Sequence, residues 1–114
     1  MKTERDDLEA AVDLLTSRSV AVRELYASYE QATYGREWSI SDLMAGFVVD
    51  VGDLTRLVMA ASGARVIDGV EEKLAHELSD CLWAVLVLAS RLDVDLGTAF
   101  VRTMAELEQH LAGS

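Results

Sequence analysis

Two pairs of acids carry the spacing that chemistry can use: Asp50 with Asp53, and Glu77 with Asp80. Within each pair the residues are three apart, which makes them neighbours on one face of an α-helix. Aspartate is a poor choice inside a helix, because its side chain competes for the backbone hydrogen bonds. Burying it without a partner costs more still. Yet Asp50 shares a helical face with Phe47, Leu54 and Leu57, and Asp53 lies beside it one turn on. If the two pairs face each other at roughly 6 Å, each close contact repels by about 3 kcal/mol at an effective dielectric of about 20. Several such contacts would strain a fold whose whole stability is about 5–15 kcal/mol. Either some protons are retained or a divalent cation is bound. Oxygen-only donors on rigid helices suit Mg²⁺, or Mn²⁺, rather than zinc.

The rest of the chain must position these acids. At 114 residues it is expected to form a single domain, 1–114, with room for one core. Half of it is apolar, which excludes disorder, and it has no proline. With Ala, Leu, Val, Glu and Asp dominant, that absence predicts an all-α protein. The net charge of −10 repels a phosphate backbone, so no nucleic-acid polymer is expected as a partner. An anionic ligand would need a cation to mediate. The charged start, MKTERDDLEA, is followed by no secretory apolar region, and no stretch is long enough to span a bilayer. A cytoplasmic protein without a membrane partner is the expectation.

Apolar residues from Leu8 to Tyr29 recur at spacings of mainly three and four, predicting a first helix from about Glu4 to Thr33 within an N-terminal segment 1–36. Ser17-Arg18-Ser19-Val20 weakens the pattern and suggests a bend, and Gly35 suits a left-handed cap. Residues 37–114 then form the core that carries the acids. Ser39 with Asp42 reads as a capping box opening a second helix, which stops at Gly63. Asp68-Gly69 marks a turn, and a third helix runs from about Val70 to Leu92. Asp95 caps a fourth, from about Leu96 to Leu111, before a frayed Ala-Gly-Ser end. Short connections between four helices predict a bundle with antiparallel neighbours. The third helix is apolar on every face from Cys81 to Ala89. One subunit cannot enclose it on all sides, which predicts at least a homodimer or a homotetramer, with Leu86 in the interface.

At this point a resemblance can be stated. Asp50-Val51-Gly52-Asp53-Leu54, followed on the next helix by Glu77-Leu78-Ser79-Asp80 with Cys-Leu-Trp after it, resembles the paired acidic motifs E-x-x-E and E-x-x-D of the MazG-like all-α nucleoside triphosphate pyrophosphohydrolases. The likeness covers about Trp38 to Leu111, and in it the first helix is an elaboration. It implies that Asp50, Asp53, Glu77 and Asp80 hold Mg²⁺ and form the catalytic centre. The substrate it implies is a (d)NTP, cleaved to (d)NMP and pyrophosphate in a house-cleaning role. It also implies dimers or pairs of dimers.

Two departures accompany the likeness. The first pair is Asp-x-x-Asp, one methylene shorter at each position, and Val49 stands where many relatives carry another acid. On the last helix the family's basic residues are replaced by Thr103-Met104-Ala105-Glu106-Leu107-Glu108, with Arg102 only adjacent. A catalytically impaired helical dimer that binds nucleotide or a protein partner without turnover is therefore the alternative from a different class.

Other residues are weighed beside these. Trp38, next to Arg36, can stack on a base or serve as a hydrophobic staple. Lys73, one turn before Glu77, can reach a phosphate or pair with a nearby acid. Together with Arg102 these are the candidate substrate-binding residues. His76 points about 100° away from Glu77 around a helix and reads as structural or interfacial. Trp83 reads as core or interface, and Cys81 as a small buried hydrophobe. A di-iron carboxylate bundle needs Glu-x-x-His; here His76 follows Glu72 by four and His110 follows Glu106 by four, so that chemistry is set aside. There is no glycine-rich phosphate loop and no recognisable nucleophile setting.

Overall fold

A computed structural model describes residues 1–113, and among them the secondary structure is four α-helices. They are α1 (Glu4–Tyr34), α2 (Ile40–Ala61), α3 (Val70–Arg91) and α4 (Leu96–Ala112). The all-α reading and all four helices stand as expected. Residues 1–113 include no helix long and apolar enough to cross a membrane. Ser114, part of the end read as frayed, lies outside the described residues.

Side chains cap three of the four helix starts. Ser39 and Asp42 form the reciprocal capping box at the start of α2, and Asp95 accepts the backbone N–H of Thr98 to open α4. Thr3 and Asp6 make a further box at α1. Gly35 ends α1 with φ +75°, and Gly69 enters α3 with φ +66°, a region where a Cβ would be strained.

Two helices organise the packing. α3 lies against both α2 and α1, and α4 lies against α1. The N-terminal helix, expected as an addition to a core of 37–114, packs against both α3 and α4 of that core. Gly97 makes the α1–α4 contact close: a Cβ there would come within 3.2 Å of the Glu9 carbonyl oxygen and 3.3 Å of its Cα. Through the Ser17 segment, where a bend was expected, α1 runs as helix without interruption. The small residue there serves packing instead. Ser19 is buried, and its carbonyl accepts the indole N–H of Trp83 at 3.1 Å. Trp83 also meets Tyr26 edge to face at 5.8 Å.

The buried apolar core is small: Leu43 and Leu57 from α2, and Ala84, Leu86, Val87 and Ala89 from α3. Leu86 is only 3% exposed within the single chain, so it is core and not an open interface position. On α3 the uncovered apolar residues are Leu78, Leu82 and Val85. The expectation of an apolar face left open holds, but the residues on it differ.

A buried ion pair lies within α1. Arg23 and Glu30 are both nearly inaccessible and joined by two hydrogen bonds, one of them from Nη1 to Oε2 at 2.9 Å. Oε1 of Glu30 also accepts the backbone N–H of Trp38 at 2.8 Å. The pair thereby ties the end of α1 to the loop that feeds α2, and so sets where the acid-bearing helix begins.

Candidate metal and phosphate site

Asp50 and Asp53 face α3 because they share a side of α2 with the buried Leu43 and Leu57, at helical spacing. On α3, Glu77 lies on the same side as Ala84, two turns away, and is carried towards α2 by that packing. One carboxylate oxygen from each of Asp50, Asp53 and Glu77 lies within 4.8 Å of the others. Asp80, the fourth acid, is outside this trio. Its Oδ2 lies 3.2 Å from His76 Nε2, one turn back on the same helix.

The trio is electrostatically uncomfortable without a counter-ion. Glu77 Oε2 is shielded from solvent and has no hydrogen-bond partner. Burial pushes the Glu77 carboxyl above the usual carboxylate range, and Asp50, Asp80 and Asp53 add to the rise. Asp50 is raised in the same way, by burial first and then by Asp80 and Asp53. The nearby Cys81 thiol is pushed up by burial and by Asp50, Glu77 and Asp80. That places it in the acid neighbourhood as a neutral thiol, not a reactive one. Asp53 alone of the trio has a cation at contact, with Arg56 Nη2 at 2.7 Å from its Oδ1.

Beside the acids opens a cavity of about 460 Å³, lined by Asp53, Arg56, Leu57, Ile67, Glu72, Lys73, His76 and Glu77. Its wall carries both acids, Asp53, Glu72 and Glu77, and the nitrogen-bearing side chains of Arg56, Lys73 and His76. Such a cavity can take a ligand that bears negative charge along its length and presents part of it to a cation.

The candidate residues chosen from sequence divide as follows. Asp50, Asp53 and Glu77 converge, and Asp80 stays within electrostatic reach, as its effect on Asp50 and Glu77 attests. Lys73 lines the cavity and forms no ion pair among the described residues, so the simple salt bridge considered for it is absent. Trp38 lies over Gly46, where a Cβ would be 3.8 Å from its Cζ3, one turn from Asp50 along α2. Trp38 is partly exposed and does not line the cavity. Arg102 lies on α4, which packs on α1, and does not line the cavity.

His76 and Arg56 are the residues that sequence reasoning missed. His76 does diverge from Glu77 around the helix, but the same geometry stacks it on Asp80 at i,i+4, which was the available signal. Arg56 follows Asp53 by three and carried the same kind of signal. No family model matches this chain, and neither a curated protein nor a solved structure matches it.

Proposed function

We propose that this protein is a divalent-cation-dependent nucleoside triphosphate pyrophosphohydrolase of the MazG-like kind. The observation that carries the reading is the convergence of Asp50, Asp53 and Glu77 from two helices, with one buried Glu77 oxygen left unpartnered. A purely hard-oxygen set of this kind fits Mg²⁺ or Mn²⁺. When bound, the cation would screen the polyphosphate and lower the pKa of a water.

The chain's own residues do the remainder. Asp50, Asp53 and Glu77 hold the charge that draws the cation, and Asp80 adds to the field from the next turn. Lys73 offers an ammonium to a phosphate in the cavity. Trp38 supplies an aromatic face for a base, one turn from Asp50. Hydrolysis between the α- and β-phosphates adds the water oxygen to the α-phosphorus and releases pyrophosphate, leaving (d)NMP.

The assembly belongs to the same reading. The Cα radius of gyration is 17.3 Å, where a compact chain of this length would have about 13–14 Å. Leu78, Leu82 and Val85 on α3, Leu14 and Leu25 on α1, and Leu111 on α4 stand exposed. A monomer seldom leaves this much apolar surface in water. We infer a homodimer or a pair of dimers.

One observation favours the second reading, a helical dimer that binds without turnover. Arg102, the one basic residue of α4 near the family's phosphate-contacting positions, is absent from the cavity. Pyrophosphate release from a panel of NTPs and dNTPs with Mg²⁺ or Mn²⁺ separates the two. Release from at least one nucleotide is expected. Binding of nucleotide without release across the whole panel would overturn the catalytic reading in favour of the second.

A further inference from the structure

We propose that Arg56 is an exchangeable counter-ion: it neutralises Asp53 in the ion-free chain and passes to the phosphates of the ligand once a divalent cation occupies the cluster. The proposal rests on the cation-binding reading above and names the residue that couples cation and anion.

The geometry has three parts. Arg56 Nη2 contacts Asp53 Oδ1 at 2.7 Å, so the guanidinium occupies one acid of the trio from the cavity side. The Arg56 side chain is 62% exposed, which leaves it free to swing without disturbing the core. It shares the cavity wall with Lys73 and His76, in a chain that has ten basic residues against twenty acids. An exposed pair of this kind is weakly held and readily exchanged.

A divalent cation and a guanidinium compete for the same Asp53 carboxylate. Entry of the cation neutralises Asp53 and displaces Arg56 into the cavity. A displaced guanidinium presents a rigid fork of donors suited to two phosphate oxygens, which the Lys73 ammonium beside it does not. Cation binding thus creates an anion receptor within the same cavity. A nucleoside polyphosphate, anionic along its chain, is the class that satisfies both ends.

The test is the substitution Arg56→Gln, read by two binding measurements with opposite expected signs. Without any anion, Mn²⁺ affinity from the electron paramagnetic resonance signal of the free ion should rise several-fold, because the competitor is gone. With saturating Mg²⁺, calorimetric affinity for inorganic tripolyphosphate should fall on the order of tenfold, the loss of charge-assisted hydrogen bonds. Arg56→Lys should recover part of the tripolyphosphate affinity but not all of it. Because Arg56 is exposed, the variants should keep wild-type circular dichroism, with Arg56→Ala as a second replacement. A wild type that binds Mn²⁺, together with variants that match it in either measurement, overturns this proposal alone. A wild type that binds no Mn²⁺ overturns the metal reading and this proposal with it.

Discussion

His76 Nε2 lies 3.2 Å from Asp80 Oδ2, and Asp80 is the one acid of the four that falls outside the carboxylate trio. The four motif acids are therefore unequal. Replacing Glu77 by Gln should abolish divalent-cation binding, because it removes the most enclosed donor of the trio. Replacing Asp80 by Asn should weaken Mn²⁺ binding by a smaller factor, roughly tenfold or less, through loss of field. Calorimetric titration of both variants checks this ranking, and an Asp80→Asn variant as defective as Glu77→Gln would reverse it.

The raised carboxyls of Asp50 and Glu77 set a pH dependence for the metal-free chain. Between the ordinary carboxylate pKa and the raised one, the folded chain holds more protons than the unfolded chain. Stability therefore falls as pH rises through that window, and the full cost is present above it. Glu30 acts with the opposite sign. Hydrogen bonds from Arg23, with help from the Trp38 N–H, hold its carboxyl below the usual range. Its contribution is intact above the ordinary value of about 4.3 and is lost as pH falls through the lowered one. Urea melts in chelator should show stability falling as pH rises through the Asp50 and Glu77 window, and falling again as pH drops through the lowered Glu30 range. In Glu77→Gln the upper limb should flatten, and stability at pH 7 should rise by about 1 kcal/mol, a few degrees in Tm for a domain of this size. An upper limb as steep in that variant as in the wild type would contradict the assignment.

Arg23 and Glu30 form the buried ion pair that fixes the loop before α2. Arg23→Ala leaves the Glu30 charge buried and unpaired, and should cost about 3–5 kcal/mol. The double variant Arg23→Met with Glu30→Leu should recover much of this, short of the about 1–3 kcal/mol for the orphaned Trp38 N–H. Denaturant unfolding of the three proteins decides it. A double variant no better than Arg23→Ala would show that the charge itself is not the source of the loss.

The uncovered face of α3 fixes how the assembly is to be tested. Leu82 is 49% exposed in the single chain, whereas Leu86 is buried. Light scattering on the wild type should give at least twice the 12.5 kDa chain mass at micromolar concentration. Leu82→Asp should lower that mass or destabilise the fold through loss of the partner. Leu86→Asp should unfold the chain whatever its oligomeric state. A folded wild-type monomer of 12.5 kDa would refute the assembly.

What was legible in the sequence was local. Ser39 with Asp42, Asp95 and Gly35 each carry their helix-end function within three or four residues, and each performs it. The spacings of three put each acidic pair on one helical face. Their meeting in one cluster, with Asp80 included, was what the family resemblance implied; Asp50, Asp53 and Glu77 do meet. What was not legible depended on which neighbour covers a face. The pattern of α3 is apolar all round, so it could not say that α1 and α2 enclose Leu86 and leave Leu82 open. Arg23 and Glu30, seven apart and charged, carry no local sign that they pair in the interior, where the Trp38 N–H joins them. The reach of Arg102 failed for the same reason, since only tertiary packing sends α4 to α1.

The central claim is that these carboxylates share a divalent cation. It is tested most directly by an anomalous difference map at the manganese edge, from crystals grown with Mn²⁺. The account predicts a peak within bonding distance of carboxylate oxygens from Asp50, Asp53 and Glu77. A map with no peak among those residues, or with its peaks only elsewhere on the acidic surface, would contradict it.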